Sequence, residues 1–413
     1  MATDAEQLPS RHSRQHHKSN FLIHQLFLRQ DLDECLSLIE ASLADSQGSA
    51  EYALYIKGLI HRQKGQLSQS LQLFQQAAAV SPNNLTYHKQ VGRTLLLLGS
   101  FEAAVQVFEE ATQLAPRDWE LWHNKGACYM AAKKYDWAAD FFVKANSIEQ
   151  HDSTFLQLGK VYALQADYQA AVKVCLEALV FCPDNAEVLT TIGLLYLRMG
   201  ESLKAFDFLG NSLSNDPRNV KSILAAASVI QDHHDMDVAL VKYRVAAVQT
   251  PNSPQLWNNI GMCFFGKQKH VAAISCLKKA SYLGPFEWIV SYNLGLLHLA
   301  TGQYASAFHH FSSSINIKSD FAHTYMYLAV ALAKLDDVDN ASAAYEKAIE
   351  LDDDMMFRLN YAITLSNYDE PDLAQEQFDK FERIFSIAGR DTQTADANVV
   401  QQRQLLLQIL NSR

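Results

Sequence analysis

Residues 85–118 read LTYHKQVGRTLLLLGSFEAAVQVFEEATQLAPRD, and this 34-residue stretch decides the fold of the chain. The small residue at position 92 recurs at steps of 34 residues, with two steps of 33. The ten positions are Gly58, Gly92, Gly126, Gly159, Gly193, Ala227, Gly261, Gly295, Ala329 and Ala362. A fixed period of this length is typical of repeat architectures, in which each repeat is one supersecondary unit. The sequence therefore predicts ten stacked repeats.

Two further sets of small residues keep the same phase. Twelve residues after the first set come Ser70, Ala104, Ala138, Ala171, Ala205, Ala239, Ala273, Ala307, Ala341 and Ala374. Seven residues later come Ala77, Ala111, Ala145, Ala178, Ser212, Ala246, Ala280, Ser314 and Ala348, with Phe381 as the exception. Because packed interfaces tolerate overpacking poorly, small residues are expected where helices approach closely. We expect the small residue of a first helix and the alanine of a second helix to mark the contact between them.

Glycine and proline mark the ends of the predicted helices. Gly65, Gly99, Gly200 and Gly302 fall where a first helix should end, and glycine adopts the left-handed conformation needed there. Six prolines, which cannot continue a helix, share one phase after the second helix: Pro82, Pro116, Pro183, Pro217, Pro251 and Pro285. Each repeat is therefore predicted to be a helix–turn–helix.

This pattern resembles the tetratricopeptide (TPR) repeat in period, form and signature residues. We predict an all-α fold, a right-handed TPR superhelical solenoid of about ten repeats with atypical ends. The predicted repeats are 51–84, 85–118, 119–151, 152–185, 186–219, 220–253, 254–287, 288–321, 322–354 and 355–388. Residues 1–19 are predicted to be a flexible polar tail and 20–50 a degenerate N-terminal capping helix pair. Residues 389–413 are predicted to be a linker and a C-terminal amphipathic helix.

Composition excludes several classes of protein. Of 413 residues 48% are apolar, so a core can form, and a net charge of −10 disfavours a nucleic-acid-binding surface. The sequence lacks a run of eighteen apolar residues and a secretory h-region, so we expect an intracellular protein that meets membranes only indirectly. Common catalytic and phosphate-binding motifs are also missing. We therefore predict a non-enzymatic protein without catalytic residues, cofactor or metal.

The first helices of a TPR array line its concave surface, where such arrays bind partners. In the C-terminal half that lining is predicted to be Asn258, Met262, Phe265, Tyr292, Leu296, Leu299, Met326 and Val330. This largely apolar set suits a partner helix or extended peptide, although tight winding could instead let it pack on itself. A carboxylate clamp around Lys89 and Arg93 is disfavoured, because the neighbouring repeat supplies His123 and Ala127 instead of asparagine.

Several segments beyond the repeat signature resemble one family. They are 190–197 (TTIGLLYL), 237–245 (DVALVKYRV), 256–267 (LWNNIGMCFFGK), 271–278 (VAAISCLK) and 304–309 (YASAFH). These segments are similar to the Bardet–Biedl syndrome protein four family, a TPR subunit of the BBSome, and the resemblance covers about residues 20–385. Animal members continue into a long Ser/Pro-rich tail where this sequence ends at Arg413, so the resemblance implies nothing here about functions of such a tail.

The resemblance implies a scaffold subunit of a coat-like adaptor complex that supports ciliary membrane-protein trafficking and cilium assembly with intraflagellar transport trains. The implied partners are a second TPR subunit, a β-propeller subunit and a small extended subunit, together with pericentriolar and dynein–dynactin proteins. The implied locations are cytoplasm, cilium, basal body, centrosome and pericentriolar satellites. The alternatives are a TPR scaffold of another assembly, such as a ubiquitin ligase or chaperone adaptor, and an enzyme with a cryptic site.

Overall fold

A computed structural model describes residues 11–388 and 397–411, and these residues form 23 α-helices and no strand. They belong to two compact units, 1–216 and 217–413. Within each unit consecutive helices pack against each other, and most first helices also contact the first helix of the next repeat. None of the described helices combines the length and hydropathy needed to cross a bilayer.

The first unit contains α1 to α12. In chain order they are Arg11–Leu28, Leu32–Asp45, Glu51–Gln63, Leu67–Val80, Leu85–Leu97, Phe101–Leu114, Trp119–Ala131, Tyr135–Ile148, Asp152–Leu164, Tyr168–Phe181, Ala186–Arg198 and Ser202–Asn215.

The second unit contains α13 to α23. They are Val220–Asp232, Met236–Gln249, Pro254–Gly266, His270–Leu283, Trp288–Ala300, Tyr304–Ile317, Ala322–Ala333, Val338–Leu351, Met355–Asn367, Pro371–Ala388 and Ala397–Asn411. In both units the odd-numbered helices from α3 to α21 are the first helices of the repeats, and each begins at the residue where a repeat is predicted to begin.

Six of the ten first helices, α5, α7, α11, α13, α15 and α21, start at a short polar side chain that caps an exposed amide group. The Asn84 side chain accepts a hydrogen bond from the Thr86 amide at 3.1 Å, and Asp118 does the same for Glu120 at 3.1 Å. Such caps satisfy donors that lack a partner within the helix. The cap, followed by helix-forming residues, fixes where each of these helices begins.

A residue with positive φ ends the first helix of every repeat. These residues are Gly65, Gly99, Lys133, Ala166, Gly200, His234, Gln268, Gly302, Asp336 and Asp369. Around Gly99, the Ser100 amide reaches back to the Leu95 carbonyl at 3.0 Å, which closes the helix end. The sequence pattern identified only the four glycines among these positions. The other six were missed because packing of the helices on both sides of the turn lets residues other than glycine adopt a positive φ there.

The phased prolines do not by themselves end the second helices. Helix α6 ends at Leu114, two residues before Pro116, while α8 ends at the equivalent Ile148 and is followed by Gln150 at the proline position. The three second helices α8, α18 and α20 therefore stop at the same place without proline. The second helix ends where its packing on the first helix ends, and a proline at that position reinforces the end.

Each phased glycine contacts a side chain from the second helix of its own repeat, and in six of the seven pairs that side chain is phenylalanine or leucine. A Cβ atom added to Gly295 would lie 2.5 Å from Cε1 of Phe311, and one added to Gly126 would lie 2.9 Å from Cδ1 of Phe142. The pairs are Gly58–Phe74, Gly92–Phe108, Gly126–Phe142, Gly159–Cys175, Gly193–Leu209, Gly261–Leu277 and Gly295–Phe311. The sequence pattern points to the alanine twelve residues after the glycine, whereas the side chain in contact lies sixteen residues after it. The alanine contributes mainly its backbone, with the Ala205 carbonyl 3.3 Å from the added Cβ at Gly193.

The two ends of the chain differ from the central repeats. Helix α1 begins at Arg11, so a helix occupies residues 11–19, which the sequence predicted to be part of a flexible tail. The α1–α2 pair lies where the capping pair was predicted, and its Ile23 and Ile39 are buried against Ile56 and Ile60 of α3. The helix is continuous from Arg11 through Ile23, so residues 11–19 are corrected from tail to helix. Residues 1–10 of that tail lie outside the described residues.

The C-terminal helix α23 packs on the last repeat. Val399 and Leu406 are buried against Leu359 and Phe381, while Arg403 forms a salt bridge with Glu382. Phe381, the one large residue among the third set of small positions, thus contacts α23. The predicted linker, residues 389–396, lies outside the described residues.

Candidate partner-binding groove

The eight residues predicted to line a groove lie on three first helices of the second unit. Asn258, Met262 and Phe265 are on α15, Tyr292, Leu296 and Leu299 are on α17, and Met326 and Val330 are on α19. The helices α15 and α17 contact each other, as do α17 and α19. The structure therefore brings the predicted residues together on one succession of adjacent helices.

Two of the eight residues connect neighbouring helices and are not available to a partner. Asn258 is 7% exposed and accepts a hydrogen bond from Asn293 Nδ2 at 2.8 Å. Met326 is 5% exposed and receives Asn360 Nδ2 at its sulfur at 3.7 Å. Spacing from the phased glycine finds the correct helix face but does not show which residues the next first helix covers. These two residues are therefore corrected from groove lining to packing between repeats.

The other six residues are half-buried, and Tyr292 is the centre of an aromatic cluster. Its ring centroid lies 6.1 Å from that of Phe311, 5.5 Å from Phe321 and 6.0 Å from Tyr327. Leu296 and Leu299 pack in the same cluster. Burial raises the pKa of the Tyr292 hydroxyl, so it stays protonated near neutral pH. The cluster forms a rigid apolar wall, with part of each side chain still accessible.

Phe265 continues this apolar surface onto α15. It packs against the buried cluster that includes Ala273 and Leu277, and its ring centroid lies 5.9 Å from that of His270. Packing of the lining on itself therefore accounts for part of its burial. The remaining exposed parts of Met262, Phe265, Leu296, Leu299 and Val330 still form an apolar strip flanking Tyr292, which is a suitable surface for an apolar segment.

The sequence reasoning missed a row of amide side chains two residues before the phased small residue. This position holds Gln90, Asn124, Gln157, Asn259, Asn293 and Asn360. In the first unit Arg62 Nη1 donates to Gln90 at 2.7 Å, as Asn293 donates to Asn258 in the second. The sequence could have revealed this row, because asparagine or glutamine occupies the position in six of the ten repeats. Four of these side chains bond to the preceding first helix, namely Gln90, Asn124, Asn293 and Asn360. Asn259 instead accepts a hydrogen bond from Asn258 on its own helix.

Lys89 and Arg93, the two cations considered for a carboxylate clamp, are already paired. Lys89 Nζ lies 2.7 Å from Asp118 and 2.5 Å from Glu120, and Arg93 also pairs with Glu120. Although burial opposes the charged form of Lys89, hydrogen bonds to these carboxylates raise its pKa. A ligand carboxylate would have to displace Asp118 and Glu120, so this face does not form a clamp.

The described residues lack an arrangement suited to metal binding, and burial suppresses the reactivity of the Cys175 thiol. In residues 11–388 and 397–411, no three His, Cys, Asp or Glu side chains group as a metal site requires. Cys175 is buried opposite Gly159, and burial raises its pKa to about 12, so its thiol stays protonated. His233 and His234 occupy the turn between α13 and α14, and His234 is the residue with positive φ.

Comparison with known sequences gives the same class of protein. Profiles of the tetratricopeptide repeat match residues 92–148 and also residues 52–84 and 322–355. Human IFIT1, solved as a dimer with m7Gppp-AAAA, is 13% identical with a TM-score of 0.51, over 80% of this chain and 89% of that chain. A tetratricopeptide repeat protein from Parabacteroides merdae is 15% identical with a TM-score of 0.51, over 60% of this chain and 99% of that one. With the helix pairs described above, these matches define an all-α protein of the TPR solenoid class.

Comparison with individual proteins places the chain in one family within the TPR solenoid class. The chain is 49% identical over 367 residues to the BBSome complex member BBS4 of Mus musculus, covering 89% of this chain and 71% of that protein. It is 46% identical over 391 residues to BBSome complex member BBS4 of Xenopus tropicalis, covering 94% and 76%. The Drosophila melanogaster homologue is 35% identical over 88% of this chain and 78% of its own length. The chain belongs to the BBS4 family.

Proposed function

We propose that this chain is a non-enzymatic scaffold subunit of the BBSome, a coat-like adaptor complex. The observation that carries the proposal is its identity of nearly one half to BBS4 proteins over 89% of the chain. A TPR solenoid works by presenting an extended surface to other proteins. In this role the chain supports ciliary membrane-protein trafficking and cilium assembly, and it acts at the cilium, basal body, centrosome and pericentriolar satellites.

The apolar strip on α15, α17 and α19 is the proposed binding surface for a subunit of the same complex. Phe265, Leu296 and Val330 offer half-buried apolar surface beside the rigid cluster at Tyr292. A preformed apolar surface binds an extended segment with little ordering cost of its own. The small extended subunit is the proposed occupant, and the second TPR subunit and the β-propeller subunit are proposed to bind elsewhere on this chain. Contacts with pericentriolar and dynein–dynactin proteins are proposed to follow from the locations of the complex.

Purification of the tagged full chain from ciliated cells tests this function. We expect the other BBSome subunits to be recovered in similar amounts, and chemical crosslinks from the small extended subunit to map near residues 262–330. Recovery of chaperones or ubiquitin ligase subunits in their place would contradict the proposal. Restoration of cilia in cells that lack their own BBS4 is the matching functional measurement, with an empty vector as the control.

A further inference from the structure

Four valines form an exposed apolar stripe on α14, the second helix of the sixth repeat. Val238, Val241, Val245 and Val248 are 43%, 56%, 47% and 85% exposed. Their spacing of three, four and three residues places them on one face of the helix. We call this set the valine face. It lies opposite the residues that α14 packs into the core, which are Ala239, Leu240, Tyr243 and Ala246.

Most of the equivalent positions in the other repeats are polar. In α12 they hold Lys204, Asp207, Asn211 and Ser214, and in α18 they hold Ser306, His309, Ser313 and Asn316. Each of the second helices α4 to α22 other than α14 has at least two polar residues among these four positions. The outward side of this repeat type is therefore normally solvated. The valine face is a local departure from that pattern.

The valine face is not needed to form the helix. Valine is a weaker helix former than lysine, glutamine or glutamate, because its branched side chain loses rotamer freedom in a helix. A helix that is apolar on both its inner and outer sides is normally buried on both. In the second unit, however, only the inner side of α14 is covered by its neighbours. The outer side consequently has the composition of an interface.

Two exposed basic residues of α14 flank this face. Lys242 and Arg244 are both exposed on α14, and no carboxylate pairs with either one within residues 11–388 and 397–411. From residue 236 to residue 286 the sequence contains six basic residues and one acidic residue, Asp237, in a protein of net charge −10. The Asp237 carboxylate is paired with Lys267. A partner that covers the valines would therefore meet mainly cations at its edges.

We propose that the valine face binds an amphipathic helix of another protein subunit, with aspartate or glutamate on both sides of its apolar stripe. Val238 and Val248 are ten residues apart, or about 15 Å along the helix axis, so about three turns of a partner helix cover the face. Complementary charge at the edges fixes the orientation of the partner and speeds its association. This inference rests on the proposed function, because the partner is taken to be a subunit of the same complex.

Site-specific photocrosslinking in the assembled complex tests the proposal. Benzoylphenylalanine replaces Val241 or Val245 in the full chain, and Ser313, the exposed residue of α18 equivalent to Val245, is the matched control. A third site at Phe265 reports on the groove. We expect Val241 and Val245 to crosslink at least about tenfold more than Ser313, to one helical segment that has acidic residues beside its apolar stripe. Raising the salt concentration should lower this yield, because the edge charges are exposed to solvent.

Other outcomes overturn the inference. Crosslinks to a second copy of this chain, to a segment without acidic residues, or to nothing beyond the Ser313 level would each exclude the proposed partner. Binding of the free chain to vesicles containing phosphatidylserine, lost in the V241E/V245E variant, would assign the face to a membrane instead. If the complex assembles and only Phe265 crosslinks, the inference fails and the proposed function stands. If no complex assembles, both fail.

The V241E/V245E variant adds a measurement that does not depend on crosslinking chemistry. Both positions are exposed, so we expect its melting temperature to match that of the unmodified chain. We expect at least about tenfold weaker retention of the acidic partner, and a smaller loss for V241K/V245K, because lysine preserves the attraction at the edges. Equal losses for the two variants would overturn the assignment of an acidic partner.

Discussion

The first helices of the two units occupy equivalent positions but carry different side chains. In the first unit α3, α5 and α7 present a polar row in which Arg62 pairs with Gln90, and Arg93 pairs with Glu120. In the second unit α15, α17 and α19 present Phe265, Leu296 and other apolar residues around an aromatic cluster. Both rows are built on the same contact between a phased small residue and a large side chain of the second helix.

This difference shows that two parts of each repeat have different roles. The contact between the two helices maintains the fold, whereas the exposed face of the first helix can vary to bind different partners. On α5 and α7 the charged side chains Lys89, Arg93 and Glu120 pair with one another, so the face has little left to offer a carboxylate or an apolar ligand. In the second unit the apolar groups pack only in part, so the face retains surface to bury. The contrast explains why the partner surface is proposed on α15–α19 and not on α3–α7.

The largest expected effect on stability comes from the contact that both units share, between a phased glycine and a side chain of the second helix. G295R in the second unit and G126R in the first should each force the ring of the facing phenylalanine out of its place, at a cost of about 1–3 kcal/mol or more in unfolding free energy. Gly210, an exposed glycine in α12 with nothing within 4 Å of an added Cβ, is the control. G210A should stabilise by about 0.5–1 kcal/mol, since alanine is the better helix former. An unchanged melting temperature in either arginine variant would mean that the repeat phase is misassigned.

A second prediction concerns pH and applies to the polar row alone. Burial, with Arg93 nearby, lowers the pKa of His123 to about 4, whereas an unfolded histidine titrates near 6.5. The unfolded state therefore binds the proton first as pH falls, so stability is lost between about pH 6.5 and pH 4. At pH 5 the loss due to His123 is about 2 kcal/mol.

Denaturant unfolding at pH 7 and pH 5 measures this loss. H123Q should lose about 2 kcal/mol less than the unmodified chain between these two pH values. Identical pH slopes for H123Q and the unmodified chain would contradict the account.

The smallest effect separates the paired charges of the polar row from an exposed ion pair. E120Q should lower the unfolding free energy by about 1 kcal/mol, because Lys89 then keeps only Asp118 as a charged partner and Arg93 keeps only the Asn124 amide oxygen. E201Q removes an exposed pair with Lys204 and should have a smaller effect, because solvent screens that pair. Equal effects of the two substitutions in chemical denaturation would show that the polar row adds nothing to stability.

Sequence periodicity predicted the repeats because glycine and alanine are required where two helices meet at every period. It did not predict that Phe311 faces Gly295, since a large buried residue is compatible with several helix faces. It also assigned Asn258 and Met326 to the groove, because the spacing within one repeat carries no information on what the next first helix covers. The turn at Lys133 and the buried Phe381 depend on tertiary packing in the same way. The local sequence pattern therefore predicts the helices and the phase of the repeat. The contacts between repeats can be identified only from the structure.

The most direct test of the central claim compares the two faces within the assembled complex. The measurement is the amount of the small extended subunit retained on the purified complex by a chain carrying F265E and L296E, beside a chain carrying E120Q and an exposed control, S275E. The account predicts loss of that subunit only from the F265E/L296E chain, with helicity unchanged in all three. Full retention by the folded F265E/L296E chain would contradict it, and so would an equal loss from the E120Q chain.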